Sequence, residues 1–236
     1  MFFANIYEEQ KGEIWRKLPK PSLSRINLGF HANLNEVKLE DFIRIFKSKD
    51  FFADLLSIEY ETRLSLVEMF INKYYLEKLS DNIDSKESRA LKFAINFYFD
   101  DAMFRIYALW CRIAQILNFS YGEVEDEEKV DLGWVEKFKN KNSHTRNIFD
   151  AYSSIKQHIK NFRHAKTHRL SPRIEGFGGI ATRFDRERNE YIIDKVKEYT
   201  ANELEEIINK CYESTVKAIE ELYLLWQEEK QRRNIK

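Results

Sequence analysis

Residues 86–119 read KESRALKFAINFYFDDAMFRIYALWCRIAQILNF, with neither a glycine nor a proline. Apolar side chains would fall on most faces of a helix formed by this stretch, which is typical of a helix with neighbours on several sides. At 1.5 Å per residue such a helix would be about 50 Å long. We therefore predict a long central helix within an all-α fold.

The polar residues inside this stretch are its informative positions. Asp101 and Arg105 are four residues apart and can pair on one face, and Arg112 continues the same line. The simpler interpretation of this line is a structural ion pair in a crowded core.

The composition indicates a helix-rich chain, because 236 residues contain only seven glycines and three prolines. The length suits one domain, so we predict a single helical domain over residues 1–236, with residues 1–38 as an irregular cover around a short helix through Trp15. The formal net charge is zero, which argues against a protein that coats nucleic acid through a general basic excess. Any nucleic-acid contact must then rest on a local patch.

The cysteines and the N-terminus bear on location. Cys111 and Cys211 lie among apolar residues of predicted helices, where a reduced thiol packs as a small hydrophobic group. The N-terminus lacks a basic and apolar leader, and charges interrupt the most apolar stretch. We expect a cytoplasmic protein that makes no membrane contact.

Residues 39–79 continue the helical pattern. They predict a short helix around residues 42–46, a restart at Ser48 or Asp50, and a longer helix through Tyr74.

Other boundaries carry local signals. Asp84 and Glu87 have the spacing of a capping box before the central helix, and Thr200 and Glu203 have it before a long final helix. Residues 180–193 alternate loosely, which predicts a small hairpin or flap.

The segment after the central helix is acidic from residue 123 to residue 131. Such a run is usually a solvated loop, and an RNA-mimicking or self-masking role is the weaker alternative. A short helix over residues 134–139 should follow, with Asn142 or Ser143 capping the next helix.

That next helix combines an apolar stripe with a basic run. Residues 151–174 contain no Asp or Glu, so positive charge is concentrated there. The stripe alternates spacings of four and three, which predicts one buried face; its members are Ile148, Tyr152, Ile155, Ile159 and Phe162.

Within this helix, Arg163, His164 and His168 resemble the Arg-polar-x(3–5)-His signature of the HEPN superfamily. The resemblance implies a bundle of long antiparallel helices. It also implies a metal-independent endoribonuclease that needs no cofactor and cuts single-stranded or loop RNA, because many HEPN proteins are metal-independent RNases.

The resemblance assigns roles to particular residues. Arg163, His164 and His168 would form the catalytic set, and Asp100 or Asp101 would support it, as acidic residues of a preceding helix do in some HEPN proteins. Expected partners are RNA, a second copy of the chain and, in a toxin–antitoxin setting related to defence, an antitoxin protein. The candidates for binding substrate phosphates are Lys156, Lys160, Lys166 and Arg169.

Other interpretations of the same helix stay open. The chain could be a non-catalytic HEPN module that binds RNA, nucleotide or a toxin–antitoxin partner, or its histidines could simply be exposed on a basic amphipathic helix. His164 and His168 also have the spacing of a two-His zinc helix, although no third ligand follows nearby. A second match to the motif spacing, Arg25 and His31, lacks a polar second residue and a helical stripe.

Helix geometry separates the two main motif residues. On an ideal helix Arg163 and His168 point about 140° apart, too far to hold one phosphate. Either the last turn unwinds before Pro172, or two copies of the chain face each other so that the Arg of one meets the His of the other. We expect the homodimer.

Overall fold

The computed structural model describes residues 2–21, 38–79, 85–122, 125–167, 173–177, 180–185, 190–195 and 197–233. Helices dominate this part of the chain, so the predicted all-α fold and the long central helix are confirmed. The helices are α1 (Phe2–Lys17), α2 (Leu39–Lys78), α3 (Lys86–Ser120), α4 (Val135–Phe138), α5 (Ser143–Thr167) and α6 (Ala201–Arg232).

The described strands form two small sheets. β1 (Arg173–Ile174) pairs in parallel with β4 (Glu198–Tyr199). β2 (Ile180–Asp185) and β3 (Glu190–Lys195) pair antiparallel along their full length. The hairpin predicted near residues 180–193 is therefore confirmed.

The predicted break in residues 39–79 is wrong, since α2 runs without interruption for 40 residues. Ser48 does not cap a new helix. Its hydroxyl donates to the carbonyl of Ile45 at 2.8 Å and accepts the indole N–H of Trp226 at 2.8 Å. A serine whose side chain bonds back onto the preceding turn fits inside a helix.

The helix predicted through Trp15 is confirmed, and as α1 it covers residues 2–17, which is longer than expected; residues 22–37 lie outside the described part. α1 is held by side chains of α2. Glu68 accepts hydrogen bonds from Tyr7 at 2.6 Å and from Lys11 at 2.5 Å, and the guanidinium of Arg63 lies 4.1 Å from the Trp15 ring.

The predicted helix caps are mostly right. Thr200 and Glu203 form the predicted reciprocal pair, with the Thr200 N–H donating to Glu203 at 2.7 Å and the Glu203 N–H donating to Thr200 at 3.1 Å. α3 starts at Lys86, as predicted, and the Ser85 hydroxyl accepts the Ser88 N–H at 3.0 Å. Asp84 lies outside the described residues.

The chain divides into two compact units, and each long helix contributes to both. The first unit comprises Met1–Leu18, Thr62–Phe104 and Gln157–Lys210, and the second comprises Pro19–Glu61, Arg105–Lys156 and Cys211–Lys236. The prediction of one domain over residues 1–236 stays a prediction.

The second unit has a core of large side chains whose polar atoms are satisfied. The indole of Trp110, fully buried, donates to Thr215 at 2.9 Å, and the hydroxyl of buried Tyr212 donates to Glu59 at 2.6 Å. Buried donors need such partners, because an unmade hydrogen bond costs about 1–3 kcal/mol.

The first unit packs α5 against α3 through aromatic rings. Phe99 meets Phe162 edge to face, with the ring centroids 6.3 Å apart. The side-chain amide of Asn96 accepts the Ile174 N–H at 3.0 Å, so β1 is anchored on α3. This contact holds the chain in place just after the basic helix.

No helix in the described part of the chain has both the length and the apolar character that crossing a membrane requires.

Candidate functional site

α5 begins at a reciprocal cap. The side chain of Asn142 accepts the Thr145 N–H at 2.8 Å, and the Thr145 hydroxyl accepts the Asn142 N–H at 3.0 Å. The predicted cap at Asn142 is therefore confirmed, and it sets the rotation of the helix that follows.

The apolar stripe of α5 is buried as predicted. Every member is at most 4% exposed, and the members are Ile148, Tyr152, Ile155, Ile159 and Phe162. The exposed positions between Ser153 and Asn161 are polar and include Lys160. One side of α5 is thus fixed in the core while the other faces outward.

The structure carries the helix through Thr167 and therefore includes the backbone of Arg163, His164 and Lys166. Their side chains, and the whole of His168 and Arg169, lie outside the described part of the chain. The catalytic set therefore stays a prediction. The backbone of its first two members is helical and directly follows Phe162, the last member of the buried stripe.

Lys156 has a carboxylate partner that the sequence did not reveal. Its ammonium forms an ion pair with Glu136 of α4 and lies 5.9 Å from the Tyr152 ring. Glu136 is 20 positions away in the chain, so an acid-free stretch of sequence did not reveal this partner. Glu136 therefore offsets part of the positive charge of Lys156 and weakens its attraction for a phosphate.

Lys160 remains available at the surface as the sequence predicted. It is exposed, and on an ideal helix it lies about 40° from Lys156 and about 60° from Arg163. Of the predicted phosphate-binding side chains in the described part, it suits that role better than Lys156.

The line of polar residues on α3 contacts α2. Asp101 accepts a hydrogen bond from the Ser65 hydroxyl at 2.5 Å. Arg105 pairs with Glu61, and Arg112 pairs with Asp54 at 2.6 Å. These contacts favour the structural interpretation of the polar line. Whether Asp100 or Asp101 also supports the motif stays a prediction.

His158 is a partly buried histidine of α5 that the sequence did not single out for chemistry. Burial lowers its pKa, and the nearby positive charge of Lys210 on α6 lowers it further. Its imidazole is therefore biased toward the neutral form. Lys210 is exposed and adds positive charge beside α5. Because Lys210 belongs to α6, the sequence of α5 does not show this contribution.

His144, at the start of α5, has a different environment. Its Nδ1 lies 2.7 Å from Glu221 and its Nε2 lies 3.0 Å from Glu228, both on α6. Burial alone would lower the pKa of His144, but the hydrogen bonds with the two carboxylates outweigh it and raise the pKa. This histidine acts as a clamp between α5 and α6 through its contacts with two carboxylates.

The acidic run is tied to α3 where it is described. The Asn118 amide donates to the Glu125 carbonyl at 2.8 Å and accepts the Glu125 N–H at 3.3 Å. A cavity of about 620 Å³ lies beside the run, and it is lined by Lys47, Phe119 and residues 125–129. The exposed carboxylates match the predicted solvated segment, while the backbone is fixed.

The described residues contain no group of three or more His, Cys, Asp or Glu side chains arranged to hold a metal ion. Of the two histidines with the spacing of a zinc helix, the His164 side chain and the whole of His168 lie outside the described part.

Comparison with known proteins identifies the class. A family model described as Cthe2314-like HEPN matches residues 59–223, which run from α2 into α6 and include the motif helix. No curated protein and no solved structure matches the chain. The match covers well over half of the 236 residues, so the chain belongs to the HEPN superfamily. The resemblance seen in Arg163, His164 and His168 is confirmed at the level of the family.

Proposed function

We propose that this protein is a metal-independent endoribonuclease that cuts single-stranded or loop RNA. The observation that carries the proposal is the Arg-His-x-x-x-His motif of residues 163–168 in a HEPN chain, directly after the buried apolar stripe of α5. Such a helix can present polar residues without disturbing the core.

The reaction requires three chemical roles. A base takes the proton of the 2′-hydroxyl, whose oxygen then attacks the adjacent phosphorus and displaces the 5′-oxygen of the next nucleotide. An acid protonates that leaving oxygen, and a cation stabilises the charge on the phosphate. The products are a 2′,3′-cyclic phosphate and a free 5′-hydroxyl.

Two side chain types of the motif suit these roles. His168 can act as base or acid, because histidine titrates near neutral pH. Arg163 stays charged and can bind two phosphate oxygens at once. His164 would position the RNA, and Lys160, Lys166 and Arg169 would neutralise neighbouring phosphates.

The site is composite in this proposal. α5 is helical through Thr167, so Arg163 and a His168 that continued the same helix would diverge by about 140°. A second copy of the chain solves this problem, because the Arg of one α5 can then meet the His of the other across a two-fold axis. The two positive helices repel each other until RNA phosphate enters between them.

The test is cleavage of a mixed RNA pool by the purified protein in EDTA. We expect products with cyclic phosphate ends, and no cleavage where the nucleotide at the cut carries a 2′-deoxyribose. Arg163→Ala and His168→Ala should each abolish cleavage. Arg146→Ala is the matched control, because Arg146 is an exposed arginine of the same helix paired with Asp150 at 3.6 Å.

Mixing the two inactive variants tests the composite site. Subunit exchange between Arg163→Ala and His168→Ala protein should restore part of the activity, since some dimers then hold one intact Arg-His pair. Cleavage that requires added divalent metal, or that survives both substitutions together, would refute the mechanism. Binding of RNA without cleavage would instead assign the chain to the non-catalytic HEPN modules.

A further inference from the structure

The exposed side of α5 is polar just before the motif. Gln157, Lys160 and Asn161 are exposed there, and the Gln157 amide donates to the side-chain carbonyl of Asn161 at 2.6 Å. On an ideal helix Gln157 and Asn161 lie about 40° apart, and Lys160 lies about 60° from Gln157. The three side chains therefore form one continuous polar surface.

A lysine of α6 extends this surface. α5 and α6 run antiparallel, since His144 contacts carboxylates closer to the end of α6, whereas the hydroxyl of Ser154 lies 3.1 Å from that of Ser214. His158 is four residues further along α5 and Lys210 is four residues back along α6, each within about 40° of its serine. Burial lowers the pKa of His158, and the charge of Lys210 lowers it further. Lys210 therefore lies beside His158.

Two lysines bound the polar surface. On an ideal helix the exposed arc of α5 from Lys160 through Asn161 to His158 spans about 160°, and Lys210 lies beyond His158. Neither lysine forms an ion pair within the part of the chain that the structure describes. All of these residues belong to the first unit. Together they form a basic belt, which consists of Gln157, His158, Lys160, Asn161 and Lys210.

Carboxylates of α6 limit the direction of the basic belt. Glu206 and Glu213 lie four residues before and three residues after Lys210 and are exposed, so they repel phosphates along the axis of α6. The sequence of α5 contains no carboxylate between residues 151 and 167. The positive surface therefore runs across α5 rather than along α6.

We propose that the basic belt binds the backbone of a single-stranded RNA that crosses α5 beside the motif. This inference rests on the proposed function, because that function makes RNA the ligand. Lys160 and Lys210 each bind a phosphate, since an ammonium group attracts phosphate as a point charge and releases counterions from the RNA. Lys210 is thus a substrate-binding residue supplied by a different helix from the one that carries the motif.

The groups between the two lysines are neutral and can both donate and accept hydrogen bonds. The amides of Gln157 and Asn161 have this property, and so does the neutral imidazole of His158. They can therefore contact phosphate oxygens, ribose hydroxyls or base edges. The basic belt lies within about 9 Å of residue 163 along the helix axis, so it holds nucleotides next to the one that is cut.

Fluorescence anisotropy with a labelled single-stranded RNA tests the inference. The RNA carries 2′-O-methyl riboses, so that the attacking hydroxyl is blocked and binding is measured without cleavage. Lys210→Gln should weaken binding by about five-fold at low salt and reduce the dependence of affinity on salt by about 0.7 units of log–log slope. Circular dichroism should show the variant as helical as the parent protein.

Lys217→Gln is the matched control. Lys217 is an exposed lysine of the same helix, and it lies seven residues on from Lys210, about 10 Å further from the motif. Its replacement removes the same charge and should leave RNA affinity close to that of the parent. Unchanged binding by Lys210→Gln, or an equal loss in Lys217→Gln, would overturn the inference and leave the basic belt to an acidic protein surface.

The titration of His158, followed by NMR of its imidazole, tests the position of the bound RNA. Lys210→Gln should raise the pKa of His158 in the free protein, because a nearby positive charge is removed. Saturating RNA should raise the pKa of His158 in the parent as well, since a bound phosphate offsets that charge, and the rise should be smaller in Lys210→Gln. A His158 pKa that RNA leaves unchanged would contradict the proposed path.

Cleavage of unmodified RNA separates this inference from the proposed function. If the protein does not cut RNA but Lys210→Gln still weakens binding, the basic belt is supported and the RNase activity is refuted. If the protein cuts RNA and Lys210→Gln binds it as tightly as the parent does, the activity stands and the basic belt is overturned.

Discussion

Phe162 provides a direct test of how α5 is built, because it separates the buried face of the helix from the motif one residue later. Phe162 is 4% exposed and packs edge to face on Phe99. Burying about 190 Å² of ring at 25 cal/mol per Å² contributes about 4–5 kcal/mol, and the truncation of a buried phenylalanine to alanine costs about 3–5 kcal/mol. We therefore expect Phe162→Ala to lower the free energy of unfolding by about 4 kcal/mol.

Urea unfolding followed by circular dichroism measures this loss. With a slope of about 3 kcal/mol per molar urea, the midpoint should fall by roughly 1.3 M. Phe97→Ala is the control, since it removes the same ring from a position that is 57% exposed, and its midpoint should fall by less than about 0.4 M.

Arg163→Ala completes the comparison and should also stay close to the parent, because on an ideal helix Arg163 lies about 60° from the centre of the apolar stripe and is not one of its members. A midpoint shift below about 0.3 M for Phe162→Ala would refute the packing argument. Unfolding of the protein by Arg163→Ala would show that the arginine is structural, and the proposed site would lose its main support.

Three further changes test other contacts. Ser48→Ala should cost about 1–3 kcal/mol in urea unfolding, because the buried Trp226 N–H loses its acceptor; a neutral result would mean that water reaches the indole. The raised pKa of His144 stabilises the fold fully below the ordinary histidine pKa of about 6.5, and this contribution disappears as the pH rises through the raised value. Melting temperatures across that range should therefore fall more steeply for the parent than for His144→Gln, and parallel curves would contradict the clamp. Glu136→Gln should free Lys156 and steepen the dependence of RNA affinity on salt by about one unit of log–log slope; an unchanged slope would remove Lys156 from the binding face.

The sequence was sufficient wherever a signal is local. The stripe from Ile148 to Phe162 repeats with the period of the helix, so burial of one face follows from spacing alone. The Thr200–Glu203 cap and the hairpin of β2 and β3 are local in the same way, because their partners lie a few residues apart.

The sequence was misleading where a distant residue decides the outcome. Ser48 is a residue type that often begins a helix. Inside α2 it instead accepts a hydrogen bond from Trp226, which lies 178 positions away in the chain. The pairing of Lys156 with Glu136 depends in the same way on the packing of α4 against α5. The joint role predicted for Arg163 and His168 stays a prediction, because it needs a partner chain or a change of backbone to bring two divergent positions together.

The fluorescence of the two deeply buried tryptophans can report on the fold. Trp110 and Trp226 are both fully buried in the second unit, each with a hydroxyl partner for its indole N–H. Their native emission should therefore be blue-shifted and should move to longer wavelength when that unit opens to water. Trp15 lies in the first unit beneath a guanidinium, so replacing it by phenylalanine would leave an intrinsic fluorescence signal weighted toward the second unit.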